Sequence, residues 1–350
     1  MSRPRKEAVR GLASRQQRAG AALLFLAGCT AVLALWTLGL GAVAISPGEI
    51  LGIFGSRLGL AATGVPETTR LIIENLRLPR ILAAILTGAV LSASGTAMQA
   101  LYRNPMADPY IIGISSSASL GAILAFFLNL PASWYGLTAF LLSLVTAFFL
   151  YRLSRRGRGS STTLLLLFGI GVSSLYGALG SFFLYSAGEA GFSVLIWLMG
   201  SLGNIGWEQL RIMALPMLGG ILVLNLLSRE LNLLLTGEEE AQYLGMNVER
   251  VKKILLTVTA LITALSVAYA GIIGFVGLVV PHGLRLIFGA NHKRLVPLAS
   301  LGGAFFLLLA DTAARTLIAP VELPIGVVTA AAGAPVFLVL LLKSRHAALE

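Results

Sequence analysis

The sequence predicts an all-α polytopic membrane protein, with about ten transmembrane helices in two inverted five-helix halves and both termini in the cytoplasm. Hydrophobic residues make up 57% of the 350 positions and charged residues 12%, whereas soluble domains are roughly 45–50% apolar. Apolar runs of about 20 residues, the length needed to cross a hydrocarbon core, recur from end to end. The 39 glycines suit closely packed membrane helices.

Ten apolar runs are assigned as spans, and they lie near residues 20 to 45, 80 to 101, 109 to 128, 133 to 152, 162 to 185, 208 to 228, 254 to 270, 272 to 288, 296 to 318 and 325 to 342. Together they form one transmembrane domain, residues 20–343, between cytoplasmic tails at 1–19 and 344–350. The first run is longer than the apolar core of a signal peptide, about 7–15 residues, and is predicted to be an uncleaved span. The division at Gly271 is open, because "AYAGIIGFVGLVVP" suits one bent span as well as two.

The distribution of basic residues favours ten spans over nine. With ten spans, most of the 26 Lys and Arg residues fall on the cytoplasmic side, in line with the positive-inside rule. Nine spans would place the basic C-terminus outside. Five spans per half imply that any structural duplication is inverted, as in many transporters. The net charge of +11 is therefore assigned to residues flanking the membrane, and nucleic-acid binding is not predicted.

Several classes of chemistry have no support in the sequence. No Lys follows a Gly, so the phosphate-binding loop GxxxxGK[ST] is absent from the sequence. No His/Cys cluster predicts a metal site, and no GxSxG motif or close pair of acids predicts catalysis. Cys29 is the only cysteine, so it is expected to pack within the first span. The three histidines, His282, His292 and His346, are predicted to be solvated or at helix ends.

The most polar passage is "TGEEEAQYLGMNVERVKK", residues 236–253, on the predicted cytoplasmic side. Thr236 and Glu239 have the spacing of a capping box, Gly245 would end the helix and Asn247 would cap the next one. A helix of about two turns is too short to be stable without packing. Its exposed face is predicted to carry Ala241, Tyr243 and Leu244. A partner protein that buries this apolar tip and an ordinary solvated loop both agree with the pattern.

Polar features inside or beside the spans point to packing and loop geometry. Two prolines flank the polar turn "RNPMADP", residues 103–109, and predict a stiff loop. The small residues of "LSASGTAMQ" favour close helix packing over pore lining, and Gln99 either faces a pathway or contacts a neighbour. Asp311 and Arg315 are four residues apart and are predicted to pair on one helix face.

Four longer motifs resemble one known family, and they read "LRLPRILAAILTGAVLSASGTAMQALYRNPMADPYIIGISSSASLGA", "GEEEAQYLGMNVERVKK", "GIIGFVGLVVPHGLRLIFGANHKRLVPLASLGGAFFLLLADTAAR" and "ELPIGVVTAAAGAPVFLVLLLK". In this order they resemble FecCD-type permease subunits of binding-protein-dependent ABC importers for iron–siderophore complexes, haem and cobalamin. The resemblance covers the chain from about residue 40. It implies alternating access in the cytoplasmic (inner) membrane of a bacterium or archaeon.

The resemblance also implies partners. They are a second copy of this chain in a homodimer, two ATPase subunits, an extracytoplasmic substrate-binding protein and membrane lipid. ATP and Mg would be bound by the ATPase, with no cofactor in this chain.

The resemblance further implies roles for particular residues. The short helix, about residues 237–246, would be the coupling helix, with ATPase contacts from Glu238, Glu239, Ala241, Tyr243, Leu244, Gly245 and Met246. A cytoplasmic gate would comprise Asn104, Pro105, Met106, Ser161 and Thr162. The binding protein would dock on Arg77, Arg80 and Arg315. Plain connectors are the alternative for the gate. Lipid headgroups, or Asp311 as the only partner of Arg315, are the alternatives for docking.

Two other transport classes, a secondary transporter and a channel, have less support in the sequence than an ATP-driven importer. A secondary transporter powered by an ion gradient would need paired acidic residues near the middle of the membrane, and apart from Asp311 the spans offer almost none. A channel would need a filter motif, and none is visible. The sequence does not distinguish between the chelates that the family transports.

Overall fold

The computed structural model describes residues 3–41, 43–57, 64–110, 113–154 and 162–346, with side chains from residue 18 onward except at 154, 162, 163, 341 and 343–346. Within these residues the chain is helical and contains no β-strand. The helices are, in chain order, α1 (Arg3–Gly39), α2 (Pro47–Arg57), α3 (Glu67–Leu71), α4 (Leu78–Leu101), α5 (Ile114–Phe127), α6 (Trp134–Ser154), α7 (Thr162–Ala187), α8 (Phe192–Leu198), α9 (Trp207–Leu226), α10 (Ser228–Leu234), α11 (Glu238–Tyr243), α12 (Val248–Ala270), α13 (Val276–Phe288), α14 (His292–Thr316) and α15 (Ile325–His346).

The long helices agree with the predicted spans. Seven helical stretches in the described part of the chain are long and apolar enough to cross a membrane. One of them, Glu67–Leu101, joins α3 to α4 through the π-helix Ile72–Arg77 without a break. Three shorter apolar helices, α5, α13 and most of α15, coincide with the remaining predicted spans. The all-α class is thus confirmed, whereas the count of ten spans, the inverted halves and the cytoplasmic termini stay predictions.

The helix is interrupted at Gly271, where the sequence left one bent span or two open, because α12 ends at Ala270 and α13 begins at Val276. Gly271 has a φ of +70°, which favours glycine, and a Cβ there would lie 2.6 Å from the carbonyl oxygen of Trp197. The helix therefore ends where two backbone segments meet too closely for a side chain.

Three backbone segments, residues 197–201, 270–273 and 324–326, meet at this break and form what we call the glycine junction. Amide groups of one segment donate to carbonyl oxygens of another: Ser201 to Ala270 at 2.9 Å, Ile272 to Leu198 at 3.2 Å and Ile325 to Gly200 at 3.1 Å. The junction thus ties the C-terminal ends of α8 and α12 to the N-terminal end of α15.

Helix α4 forms the centre of the molecule and packs against α14, α13, α9 and α12. Most of its residues are buried, because small side chains let neighbouring backbones approach on several sides. A Cβ on Gly88 would lie 2.2 Å from the carbonyl oxygen of Gly303, and one on Gly95 would lie 1.8 Å from that of Gly277. The close helix packing predicted for the run "LSASGTAMQ" is therefore observed at Gly95.

Candidate functional site

The coupling segment, residues 236–247, connects α10 to α12 and contains the short helix α11. Its tip is exposed and apolar, with Tyr243 at 89% and Leu244 at 61% exposure. Ala241, predicted to share this face, is fully buried instead, and Met246 is buried too. The prediction for Ala241 was wrong because the opposite side of α11 packs on the chain's own core. The segment thus presents two adjacent apolar side chains on an otherwise polar helix.

Local backbone chemistry starts and stops α11. The predicted capping box is wrong: the residue before the helix is Gly237, at a φ of +122°, and the Thr236 hydroxyl donates to the carbonyl oxygen of Leu233 at 2.8 Å. The predicted stop is confirmed, since Gly245 has a φ of +84° and its amide donates to the carbonyl oxygen of Gln242. Asn247 caps α12 as predicted, accepting from the amide of Arg250 at 3.0 Å.

An ion pair between a buried lysine and a partly exposed carboxylate anchors the coupling segment to α12. The Lys252 side chain is almost wholly buried, and its Nζ donates to Oε2 of Glu238, the first residue of α11. Burying an ammonium group is costly without an anionic partner. The start of α11 is therefore fixed to a long apolar helix, while its tip stays exposed.

The predicted gate loop, residues 103–109, is shaped by hydrogen bonds from backbone amides to side-chain oxygens. Oδ1 of Asn104 accepts from the amide of Met106 at 2.9 Å, and Oδ1 of Asp108 accepts from the amide of Tyr110 at 2.8 Å. Burial raises the pKa of the Asp108 carboxyl to about 6, against the smaller lowering effect of the Tyr110 hydrogen bond. Pro105 is exposed, so the loop presents a proline at its surface.

Two further observations concern the predicted gate. Ser161 and the side chain of Thr162 lie outside the described residues, so the second constriction that they would form stays a prediction. The gate loop does lie beside the coupling segment, because a Cβ on Gly237 would be 3.5 Å from Nη1 of Arg103. Gln99, just before the loop, donates to the carbonyl oxygen of Leu278 at 3.2 Å and thus contacts a neighbouring helix.

The arginine cluster, which comprises Arg77, Arg80 and Arg315, lies at the opposite end of α4, where α4 meets α14. Nε and Nη2 of Arg80 lie 3.0 and 2.9 Å from Oδ1 of Asp311, which is fully buried. Nη1 of the same guanidinium lies 3.0 and 2.9 Å from the two carboxylate oxygens of Glu322. Arg80 therefore bridges one buried and one exposed carboxylate.

The other two predicted docking arginines face inward. Arg315 pairs with Asp311 as predicted, with Nε 3.2 Å from Oδ2, and its Nη1 donates to the carbonyl oxygen of Leu40 at 3.1 Å. Arg77 donates to the carbonyl oxygens of Leu38 and Val43. Arg77 and Arg315 are only 7% and 6% exposed. In this single chain the guanidinium groups of Arg77 and Arg315 hold the C-terminal end of α1 and the segment that follows it by hydrogen bonds to backbone carbonyl oxygens. Docking of a binding protein stays a prediction.

Comparison with known proteins identifies the family. The model of the FecCD transport family matches residues 29–343. The chain belongs to the FecCD transport family.

Three similar relatives are permease proteins of import or transport systems. The chain is 44% identical over 279 residues to the hemin transport system permease protein HmuU of Yersinia pestis, covering 78% of this chain and 83% of the relative. It is 40% identical over 346 residues to the vitamin B12 import system permease protein BtuC of Klebsiella pneumoniae, covering 97% and 99%. A cobalamin import permease of Halobacterium salinarum is 42% identical over 279 residues, covering 79% and 75%.

A solved structure shares the architecture. It is described as an inward-facing conformation of a metal-chelate type ABC transporter, and it matches with a TM-score of 0.82 at 34% identity over 92% of this chain and 98% of that one. The agreement between sequence and structure comparisons confirms the FecCD resemblance that the motifs indicated.

Two residues of these FecCD sites escaped the sequence reasoning. Lys252 lies at helical spacing with the buried face of α12, which includes Leu255, Leu256 and Thr259, so a 3.6-residue period would have marked it as buried. Glu322 lies between α14 and α15 and far from Arg80 in sequence, and no local pattern signals that contact. Lys252 is the ammonium partner of Glu238, and Glu322 is a carboxylate partner of Arg80. Glu238 and Arg80 are the residues that the motifs did single out.

The prediction that the histidines are solvated or at helix ends is wrong for His282, is met at a helix end by His292, and is not tested by the side chain of His346, which lies outside the described side chains. His282 and His292 are both buried, and Nδ1 of His292 lies 2.9 Å from Oδ1 of Asn232. His292 is at a helix end, as expected, whereas His282 lies within α13. In the described part of this FecCD chain, no group of three or more His, Cys, Asp or Glu side chains could hold a metal ion.

Proposed function

We propose that this FecCD chain is the membrane permease of an ATP-driven ABC importer that carries a metal chelate from an extracytoplasmic binding protein into the cytoplasm. One observation supports this most directly: the exposed apolar pair Tyr243 and Leu244 lies at the end of a helix that an ion pair with the buried Lys252 anchors. A solvated loop gains nothing from such a tip, whereas a partner protein gains buried apolar area. The partner is an ATPase, because the chain itself lacks a phosphate-binding loop.

The assembly consists of two copies of this chain, two ATPase subunits and one binding protein in the inner membrane, with ATP and Mg bound by the ATPase. Ten spans and cytoplasmic termini place the coupling segment and the gate loop on the ATPase side and the arginine cluster on the other. Membership of a permease family and the helical, apolar architecture support this arrangement. A two-fold axis between the copies would carry the pathway.

The substrate class follows from the relatives. The names of similar permeases give hemin, vitamin B12 and cobalamin, and the solved relative is of metal-chelate type. We therefore assign the class of metal chelates, which comprises iron–siderophore complexes, haem and cobalamin. Identifying the ligand that co-purifies with the cognate binding protein will select among them.

Motion of the ATPase would reach the gate through contacts in this chain. A pull on α11 acts on α12 through the Glu238–Lys252 pair. It also acts near the gate loop, since Arg103 lies beside Gly237. The gate loop in turn joins α4 to α5. Alternating access by rigid-body movement of helices is thus coupled to the nucleotide cycle at two neighbouring points.

Uptake in proteoliposomes tests the proposal. Liposomes containing the chain, its ATPase and an excess of loaded binding protein should accumulate chelate only when ATP is supplied in the compartment that the ATPase faces. A catalytically inactive ATPase serves as control. Uptake driven by a proton or sodium gradient with this chain alone would instead support a secondary transporter.

A further inference from the structure

An open cleft of ≈ 370 Å³ lies at the N-terminal end of α9, and α2, the π-helix, α4 and α9 line it. Its lining brings two arginines, Arg57 and Arg211, beside two aromatic side chains, Phe54 and Trp207. No part of the coupling segment, gate loop or arginine cluster belongs to it. The cleft is therefore a separate site.

The cleft carries an excess of positive charge. Arg57 binds Glu74 with two hydrogen bonds of 3.0 and 2.8 Å, and Arg70 shares the same carboxylate at 3.8 Å. Arg211 is exposed and forms no hydrogen bond or ion pair with any described residue, including exposed Glu208 three positions earlier. Its guanidinium is thus available to an external anion, and its planar fork suits a phosphate group.

The position of Trp207 places the cleft at the membrane boundary. Trp207 is the first residue of a candidate span, and its indole Nε1 donates to the carbonyl oxygen of Glu74 at 2.8 Å. Tryptophan is enriched at headgroup level. Helix side chains tilt toward the N-terminus, so Arg211 reaches back toward the level of Trp207. Both groups therefore lie where lipid phosphates lie.

An apolar stripe continues from Arg211 along the same face of α9. The stripe comprises leucines spaced three or four residues apart, all exposed: Leu215, Leu218, Leu222 and Leu226. Residues at this spacing lie on one side of a helix. A cation at headgroup level above a continuous apolar stripe is complementary to the anionic phosphate and the acyl chain of a single phospholipid molecule.

We propose that this cleft, the headgroup cleft, binds one membrane phospholipid, with its phosphate on Arg211 and an acyl chain along the leucine stripe. The uncompensated positive charge selects an anionic headgroup such as phosphatidylglycerol over zwitterionic phosphatidylethanolamine. A protein partner is disfavoured because the stripe runs on into the span itself. The site does not depend on the proposed transport function.

Native mass spectrometry of the full chain tests this site. The protein is exchanged into mixed micelles with equal amounts of phosphatidylglycerol and phosphatidylethanolamine of distinguishable mass, and retained lipids are counted. The wild type should retain phosphatidylglycerol preferentially. Arg211→Gln should lower this retention about fivefold, the effect of one arginine near an anionic surface. Arg152→Gln is the matched control, because Arg152 is also exposed and lies over an aromatic ring, that of Phe148.

Further arms separate the sources of the phosphate and the alternatives. Inorganic phosphate and glycerophosphoglycerol, which lack acyl chains, should displace the lipid poorly, and Leu215→Asn should weaken retention. Equal retention in wild type and Arg211→Gln, or displacement by inorganic phosphate at the concentration of lipid, would overturn the proposal. A loss of dimer in Arg211→Gln with lipid retention unchanged would assign the surface to a second copy and also overturn it. Both substitutions are at exposed positions, and unchanged thermal unfolding will show that the variants fold.

Discussion

Arg80 holds Glu322 through a single nitrogen, Nη1, which lies within 3.0 Å of both carboxylate oxygens, while its other nitrogens bind the buried Asp311. Glu322 is the exposed partner and Asp311 the inaccessible one. An acidic residue of a binding protein that approaches Arg80 must therefore displace Glu322 first. The chain carries its own competitor for the predicted docking contact.

Glu322→Gln should increase the affinity of the binding protein roughly two- to fivefold, the range expected for removing one exposed competing ion pair. Affinity for the reconstituted transporter is measured at two ionic strengths, since salt screens exposed charges. Glu67→Gln is the matched control, because Glu67 is another exposed carboxylate on the predicted outer side. Weaker binding in Glu322→Gln would mean that Glu322 itself contacts the binding protein.

Leu244→Asp should abolish co-purification of the ATPase. The substitution places a charge in a contact that buries an apolar side chain, at a cost of at least about 2 kcal/mol. Leu128→Asp serves as control, because Leu128 is equally exposed but lies at the far end of α5. A complex that survives Leu244→Asp unchanged would show that α11 does not contact the ATPase.

Glu238→Gln should destabilise the chain more than Lys252→Met. Removing the carboxylate takes anionic compensation from a buried ammonium, whereas methionine fills the same volume without charge. The expected difference is on the order of 1–3 kcal/mol, measured by thermal unfolding in detergent. Lys252→Met should still lower chelate uptake per ATP hydrolysed, because α11 loses its anchor. Equal stability of the two variants would contradict the anchoring role.

Gly88→Ala should lower the free energy of unfolding by at least about 1–3 kcal/mol, because the new Cβ would lie 2.2 Å from the carbonyl oxygen of Gly303. Gly219→Ala is the matched control: Gly219 is also a helical glycine, but a Cβ there has no atom within 4 Å. Unfolding temperatures of both variants are compared with wild type. If Gly88→Ala is as stable as Gly219→Ala, α4 and α14 do not pack backbone to backbone.

The stability that Asp108 contributes should fall as pH rises from about 4 to about 7. Burial raises its folded-state pKa to about 6, above the unfolded value of about 3.9. The folded state therefore binds the proton more tightly, so the contribution is present below the unfolded pKa and is lost as pH rises through the folded pKa. Asp108→Asn keeps the acceptor for Tyr110 and should remove on the order of 2 kcal/mol of this dependence. Identical pH profiles of unfolding for the two proteins would contradict the burial of an ionisable carboxyl.

Local sequence patterns predicted most of the helices but not the contacts between them. The stop at Gly245 and the cap at Asn247 depend on neighbouring residues only, and both were predicted. The burial of Ala241 and the inward orientation of Arg77 depend on which elements pack against them. Positions that lie 231 or 242 residues apart, as in the Arg80 contacts with Asp311 and Glu322, meet only after the whole chain has folded. The i, i+4 pairing of Asp311 with Arg315 could thus be predicted from local spacing, whereas partners distant in the sequence could not.

The glycine junction joins three chain segments through main-chain groups alone. Ser201, Ile272 and Ile325 donate amides that lie outside regular helical hydrogen bonding, yet each has a carbonyl partner in another segment. Hydrogen–deuterium exchange should therefore find slow amides in what a secondary-structure map would show as loops. Since no side chain supplies these bonds, replacing Ser201, Ile272 or Ile325 by alanine would leave them in place, and a method that reports on the backbone is needed to show how firmly α8, α12 and α15 are held together.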